Sequence, residues 1–169
     1  MKKTIVALLL FAVAFSSTSY GTSDTDFVAA KAQLLSSYQS LENNALKISL
    51  IFEQEAAGMP QQEQALFSLI KNNIELGMFT IREVLGLYTL QGAQESTTPA
   101  AAQLLKDASL DSLDYLNGIE DRLRDRGSLI KNEQVRVIVG ECLYTMDKSK
   151  ESIRVLQEFM ENLMRNVGH

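Results

Sequence analysis

Apolar residues return at intervals of three and four along most of this chain. The first series, Phe27, Leu34, Tyr38, Leu41, Ala45, Ile48 and Phe52, steps by 7, 4, 3, 4, 3 and 4, a heptad-like face. A second runs Phe67, Ile70, Ile74, Gly77, Ile81, Val84 and Tyr88. A third, less apolar, runs Ala101, Leu105, Ala108, Ser112, Leu116, Ile119 and Leu123. The fourth runs Val135, Ile138, Cys142, Thr145, Ser149, Ser152, Leu156, Phe159 (or Met160) and Leu163. No stretch alternates with period two in Val, Ile and Thr, so the pattern predicts four helices and no strand.

The breaks between the series carry helix punctuation. Gly58 is expected to end the first helix in the left-handed conformation, with Pro60 in the first turn of the second. Gly92 ends the second, and the polar stretch "AQESTTP" leads to Thr98 as N-cap ahead of Pro99. Gly127 is expected to end the third, with Ser128 or Asn132 capping the fourth. Helices of roughly 30 residues are about 45 Å long at 1.5 Å per residue. Three short connections between such helices make neighbours antiparallel. The expected fold is all-α, an antiparallel up-down-up-down four-helix bundle in one domain, residues 22–169.

The beginning of the chain reads differently. Lys2 and Lys3 precede the twelve-residue run "TIVALLLFAVAF", and Ser19-Tyr20-Gly21 offers the small-bulky-small pattern of a cleavage site. A bilayer span needs roughly 20 apolar residues, so residues 1–21 are expected to be a cleaved signal peptide. No cysteine follows the run to take a lipid. The expected location is periplasmic or secreted, without stable membrane insertion after cleavage.

Charge then narrows the partners. The 169 residues hold 16 Lys and Arg against 21 Asp and Glu. Without Lys2 and Lys3 the remainder has 14 basic and 21 acidic residues, a net charge of −7. That sign argues against nucleic acid and anionic lipid. A single cysteine, Cys142, rules out an internal disulfide.

Catalytic and cofactor chemistry finds few reagents. The one histidine, His169, is the last residue. That count leaves no Glu-x-x-His pairs for a di-metal centre, no ordinary zinc set and no helical axial ligand for haem. One cysteine cannot form a Cys-x-x-Cys-His attachment. No Gly-x-Ser-x-Gly, Ser-x-x-Lys or phosphate-cradling glycine loop occurs. Cys142 falls on an apolar helix face with no internal histidine to activate it. The chain therefore reads as a non-enzyme without cofactor or metal.

Three other features bear on function. In "EDRLRDRGS", Arg122, Arg124 and Arg126 precede Gly127, where cations oppose the helix dipole by about 0.3–1 kcal/mol each. Glu120 can pair with Arg124 and Arg122 with Asp125. Successive arginines point about 160–200° apart and do not converge on one ligand, so they read as a helix end rather than a phosphate site. On the third helix Asp107, Asp111, Asp114, Asp121 and Asp125 step by 4, 3, 7 and 4. At about 100° per residue they share roughly 80° of arc opposite the apolar face. They read as a solvent face or as a docking strip for a basic partner.

The fourth series is small and polar at its centre. Cys142, Thr145, Ser149 and Ser152, facing Asn73, Gly77, Ala45 and Ser49, allow either close helix approach or a polar-lined cavity for a small ligand. Near the end, Phe159, Met160, Leu163 and Met164 are expected to close the bundle. The function these features favour is a non-catalytic periplasmic protein-binding bundle: an adaptor, a chaperone-like factor or an inhibitor such as an immunity protein. The alternative is a small-ligand sensor or carrier using the polar seam. A homodimer through a leftover apolar face, for example around Leu110, Leu113 and Val137, is also compatible.

Overall fold

A computed structural model describes residues 23–92 and 98–167. The expected signal segment, His169 and most of the polar connection after Gly92 lie outside the described residues. Among the described residues there are four long helices and no strand. They are α1 (Ser23–Glu55), α2 (Gln61–Gly92), α3 (Pro99–Leu129) and α4 (Glu133–Val167), with a 3-10 turn, Ala56–Gly58, between the first two. None of these helices is long and apolar enough to cross a membrane.

The helices pack because each apolar series turns inward. Leu34, Leu41, Ile48, Phe67, Ile70, Ile74, Ile81, Val84 and Tyr88 are almost wholly buried, as are Leu116, Ile119, Leu123, Val135, Cys142 and Leu156. Each fully buried Leu or Ile contributes about 1.5–3 kcal/mol relative to exposure. Aromatic rings close both ends. Phe27 lies 4.5 Å from Phe159 and 6.2 Å from Tyr88, and Phe52 lies 5.9 Å from Phe67. Met160 is buried and Phe159, Leu163 and Met164 pack on the core, so that cluster closes the bundle.

Neighbouring helices pair in opposed order. Along α1, Ser40, Asn44 and Lys47 meet Thr145, Cys142 and Glu141 of α4, and Glu55 meets Asn132, the residue before α4. Asn73 and Tyr88 of α2 meet Arg122 and Ser109 of α3. Lys106, Glu120 and Gly127 of α3 meet Glu161, Lys150 and Val139 of α4.

Two helix ends differ from the expected punctuation. Gly58 sits in the 3-10 turn rather than in a left-handed cap, and Gln64 Nε2 holds that turn by donating to the carbonyls of Ala56 and Met59, each at 3.0 Å. Gly127 does not end α3, which continues to Leu129. A Cβ there would stand 2.8 Å from Val139 Cγ1. Close approach of α3 to α4, not a turn, calls for glycine at that position.

Pro60 lies one residue before α2 rather than in its first turn, while the caps of α3 and α4 stand where the sequence placed them. Thr98 Oγ1 accepts from the Ala101 amide at 3.2 Å, with Pro99 opening α3. Asn132 Oδ1 accepts from the Val135 amide at 3.0 Å and so caps α4, while Ser128 bonds back to the Asp125 carbonyl.

Candidate interaction groove

Between α2 and α3 the surface opens into a groove of about 530 Å³. Its α2 wall is Leu76, Phe79, Thr80, Glu83 and Leu87, and its α3 wall is Ala108, Asp111, Ser112 and Tyr115. The groove exists because small side chains stand where bundles usually place leucine. Ala108, Ser112 and Thr80 leave the cleft shallowly filled, and both hydroxyls turn inward to the carbonyls of Ala108 and Leu76. The rims are apolar and wet: Phe79 is 53% exposed and Tyr115 48%. The two rings stand on opposite walls of the groove, Phe79 on α2 and Tyr115 on α3. Glu83 and Asp111 add two negative charges, and neither forms an ion pair among the described residues.

The aspartate strip stands at the surface along its whole length. Asp111 is the member that lines the groove. Asp107 accepts from Gln103 at 2.8 Å, and Asp121 lies 3.5 Å from Arg124. Asp114 and Asp125 are exposed on the same face. Arg122 and Arg124 turn to different partners, as successive positions on the wheel predict. Arg124 reaches Glu120 at 3.6 Å, but Arg122 turns to Asn73 Oδ1 at 3.0 Å rather than to Asp125. Crossing to α2 satisfies a buried amide, which a surface carboxylate does not need.

The polar seam of α4 keeps its hydroxyls within its own helix. Thr145, Ser149 and Ser152 donate to the carbonyls of Glu141, Thr145 and Lys148 at 2.8, 2.8 and 3.2 Å. Thr145 also meets Ser40 at 3.4 Å. Cys142 Sγ accepts from Asn44 Nδ2 at 3.5 Å, and burial pushes its thiol up to about 12. Asn73 faces α3 and donates to the Leu69 carbonyl. Met146 occupies the space against Gly77, where an added Cβ would collide with its methyl.

A second depression, about 440 Å³ and almost wholly apolar, lies between α1 and α4. Leu50, Ile51, Val137 and Ile138 line it with Lys47 and Gln134. The apolar residues named for self-association do not form one patch. Leu113 is buried, while Leu110 and Val137 sit near opposite ends of the α3–α4 pair.

Sequence reasoning missed the groove and one other element. Lys150 and Glu120, both under a tenth exposed, form an ion pair inside the α3–α4 interface. The signal was available: Leu116, Glu120, Leu123 and Gly127 step by 4, 3 and 4, so a glutamate occupies a core position. Among the described residues no cluster of His, Cys, Asp or Glu is arranged to hold a metal ion. No family model matches this chain, and no curated protein and no solved structure matches it.

Proposed function

We propose that this chain is a non-catalytic protein-binding bundle of the periplasm or extracellular space, an adaptor, chaperone-like factor or inhibitor. The observation that carries the reading is the α2–α3 groove, which sets exposed aromatic rims beside an acidic helix face. Apolar anchors with flanking charge are the usual composition of a recognition surface. The opposed residue pairs support an up-down-up-down arrangement, and the N-terminal pattern of residues 1–21 supports export by a cleaved signal. The carrier reading draws no support from the seam, whose hydroxyls are already bonded.

Affinity capture from the native host, with the intact chain beside Phe79→Glu and Leu50→Lys variants, tests the reading. A polypeptide retained by the intact chain and by Leu50→Lys but lost with Phe79→Glu is the expected result. Retention by all three would refute a role for this groove.

A further inference from the structure

We infer that the occupant of the α2–α3 groove is a basic amphipathic helix, which lies along the two walls as a fifth helix. The inference rests on the protein-binding reading above and names the partner's chemistry.

The walls set the shape of the occupant. Lining residues recur at three and four on both helices, from Leu76 to Leu87 and from Ala108 to Tyr115. The α2 wall therefore spans about 16 Å, three helical turns. An apolar ridge spaced i, i+3/i+4, i+7 has the same pitch and can seat between them. The small floor of Ala108, Ser112 and Thr80 permits close approach. An extended peptide has nothing comparable to gain, because the walls are helices whose backbone groups are already paired and offer no sheet edge.

Charge sets the sign. Glu83 and Asp111 stand on opposite walls without ion partners among the described residues, so a Lys or Arg flanking the ridge can meet one on each side. The same two acids disfavour a second copy of this chain. A twofold contact through the groove would set Glu83 and Asp111 against themselves.

The chain contains no tryptophan, so a single Trp in a peptide reports binding without background. The probes are synthetic helices of about 18 residues, five turns, with one Trp in an apolar Leu/Ala ridge. One is flanked by Lys, a twin has Gln in place of Lys, and a third has Glu. Each is titrated by fluorescence anisotropy against the full chain as its host produces it, and against Glu83→Gln/Asp111→Asn, Phe79→Lys and Leu50→Lys variants. All four positions are at the surface, and a melting curve confirms that each variant folds.

The expected result is binding of the Lys helix at least tenfold tighter than its Gln twin, weakening as salt rises. The double variant loses at least tenfold of that affinity, Phe79→Lys abolishes it, and Leu50→Lys leaves it unchanged. If Lys and Gln helices bind alike and the double variant binds as well as the parent, the basic occupant is overturned. Sensitivity to Phe79→Lys in that case leaves the protein-binding groove standing. If no helix binds, the helical occupant is overturned, and capture with the Phe79→Glu variant decides the protein-binding reading by itself. A concentration-dependent dimer of the chain, lost with Phe79→Lys, also overturns the proposal by naming a second copy as the occupant.

Discussion

Lys150 Nζ lies 2.9 Å from each carboxylate oxygen of Glu120, with both side chains buried between α3 and α4. The ammonium donates to Oε2 and also to Asn117 Oδ1 at 3.2 Å, and Asp147 stands 3.4 Å away. Glu120 Oε1 has the charge beside it but no directed hydrogen bond. Removing one partner strands a charge in the interface, whereas removing both leaves a space that apolar side chains can fill.

Lys150→Met should therefore destabilise the bundle by about 3–5 kcal/mol. The double change Glu120→Met/Lys150→Met should recover most of that loss. Urea denaturation of the two variants decides it: equal losses would mean the ion pair itself, not the stranded charge, holds the interface.

Two buried glycines separate stiff neighbours from flexible ones. A methyl at Gly127 meets Val139, a branched side chain with little freedom, while one at Gly77 meets chiefly the tip of Met146. Alanine gains about 1 kcal/mol of helix propensity at either place, and overpacking costs about 1–3 kcal/mol. Gly127→Ala should lower the melting temperature more than Gly77→Ala. The reverse order would show that the Met146 pocket is the less yielding of the two.

Asn132 caps α4 through the Val135 amide and also donates to both Glu55 oxygens, at 2.9 and 3.1 Å. Asn132→Ala should cost about 1–2 kcal/mol. Asn132→Asp keeps the cap but faces Glu55, so it should be intermediate in a thermal melt. Asp as stable as Asn would mean that the Glu55 contact contributes nothing.

Cys142 gives a pH dependence. Its thiol titrates near the ordinary 9.0 in the unfolded chain but is held up to about 12 by burial in the folded one. Its contribution to stability is therefore complete below pH 9 and lost as pH rises from 9 towards 12. The stability gap between the parent and Cys142→Ala, measured by denaturant midpoint at pH 8 and pH 11, should shift against the parent at pH 11. A gap that stays constant would mean the thiol is accessible to hydroxide in the folded state.

The inward faces were legible because burial repeats. Each series from Phe27 to Leu163 is a periodic demand, and positions such as Leu41, Ile74 and Leu116 answer it with nearly complete burial. Thr98 and Asn132 were legible because capping is local chemistry. Gly127 misled because a glycine near a helix end has two uses, and only the distance to Val139 separates them. The Glu120–Lys150 pair joins residues thirty positions apart, while Arg124 offered a partner one turn away. The groove was hidden for another reason. Leu76, Phe79 and Tyr115 fall just beside the core stripes, and nothing periodic reports which flanking residues remain uncovered.

The contact between Phe27 and Phe159 has a consequence for how the chain folds. Pairs such as Phe52 with Phe67 or Glu120 with Lys150 need only short loops to close. Asn44 and Cys142 must meet across 98 residues, and Phe27 and Phe159 across a longer span. Loop entropy rises with length, so the two helical hairpins should form first and the joining of α1 to α4 last. The same adjacency places the beginning of α1 beside the end of α4. A short tether could link them into a circle, and the chain could then be cut between α2 and α3 with every helix kept in its place.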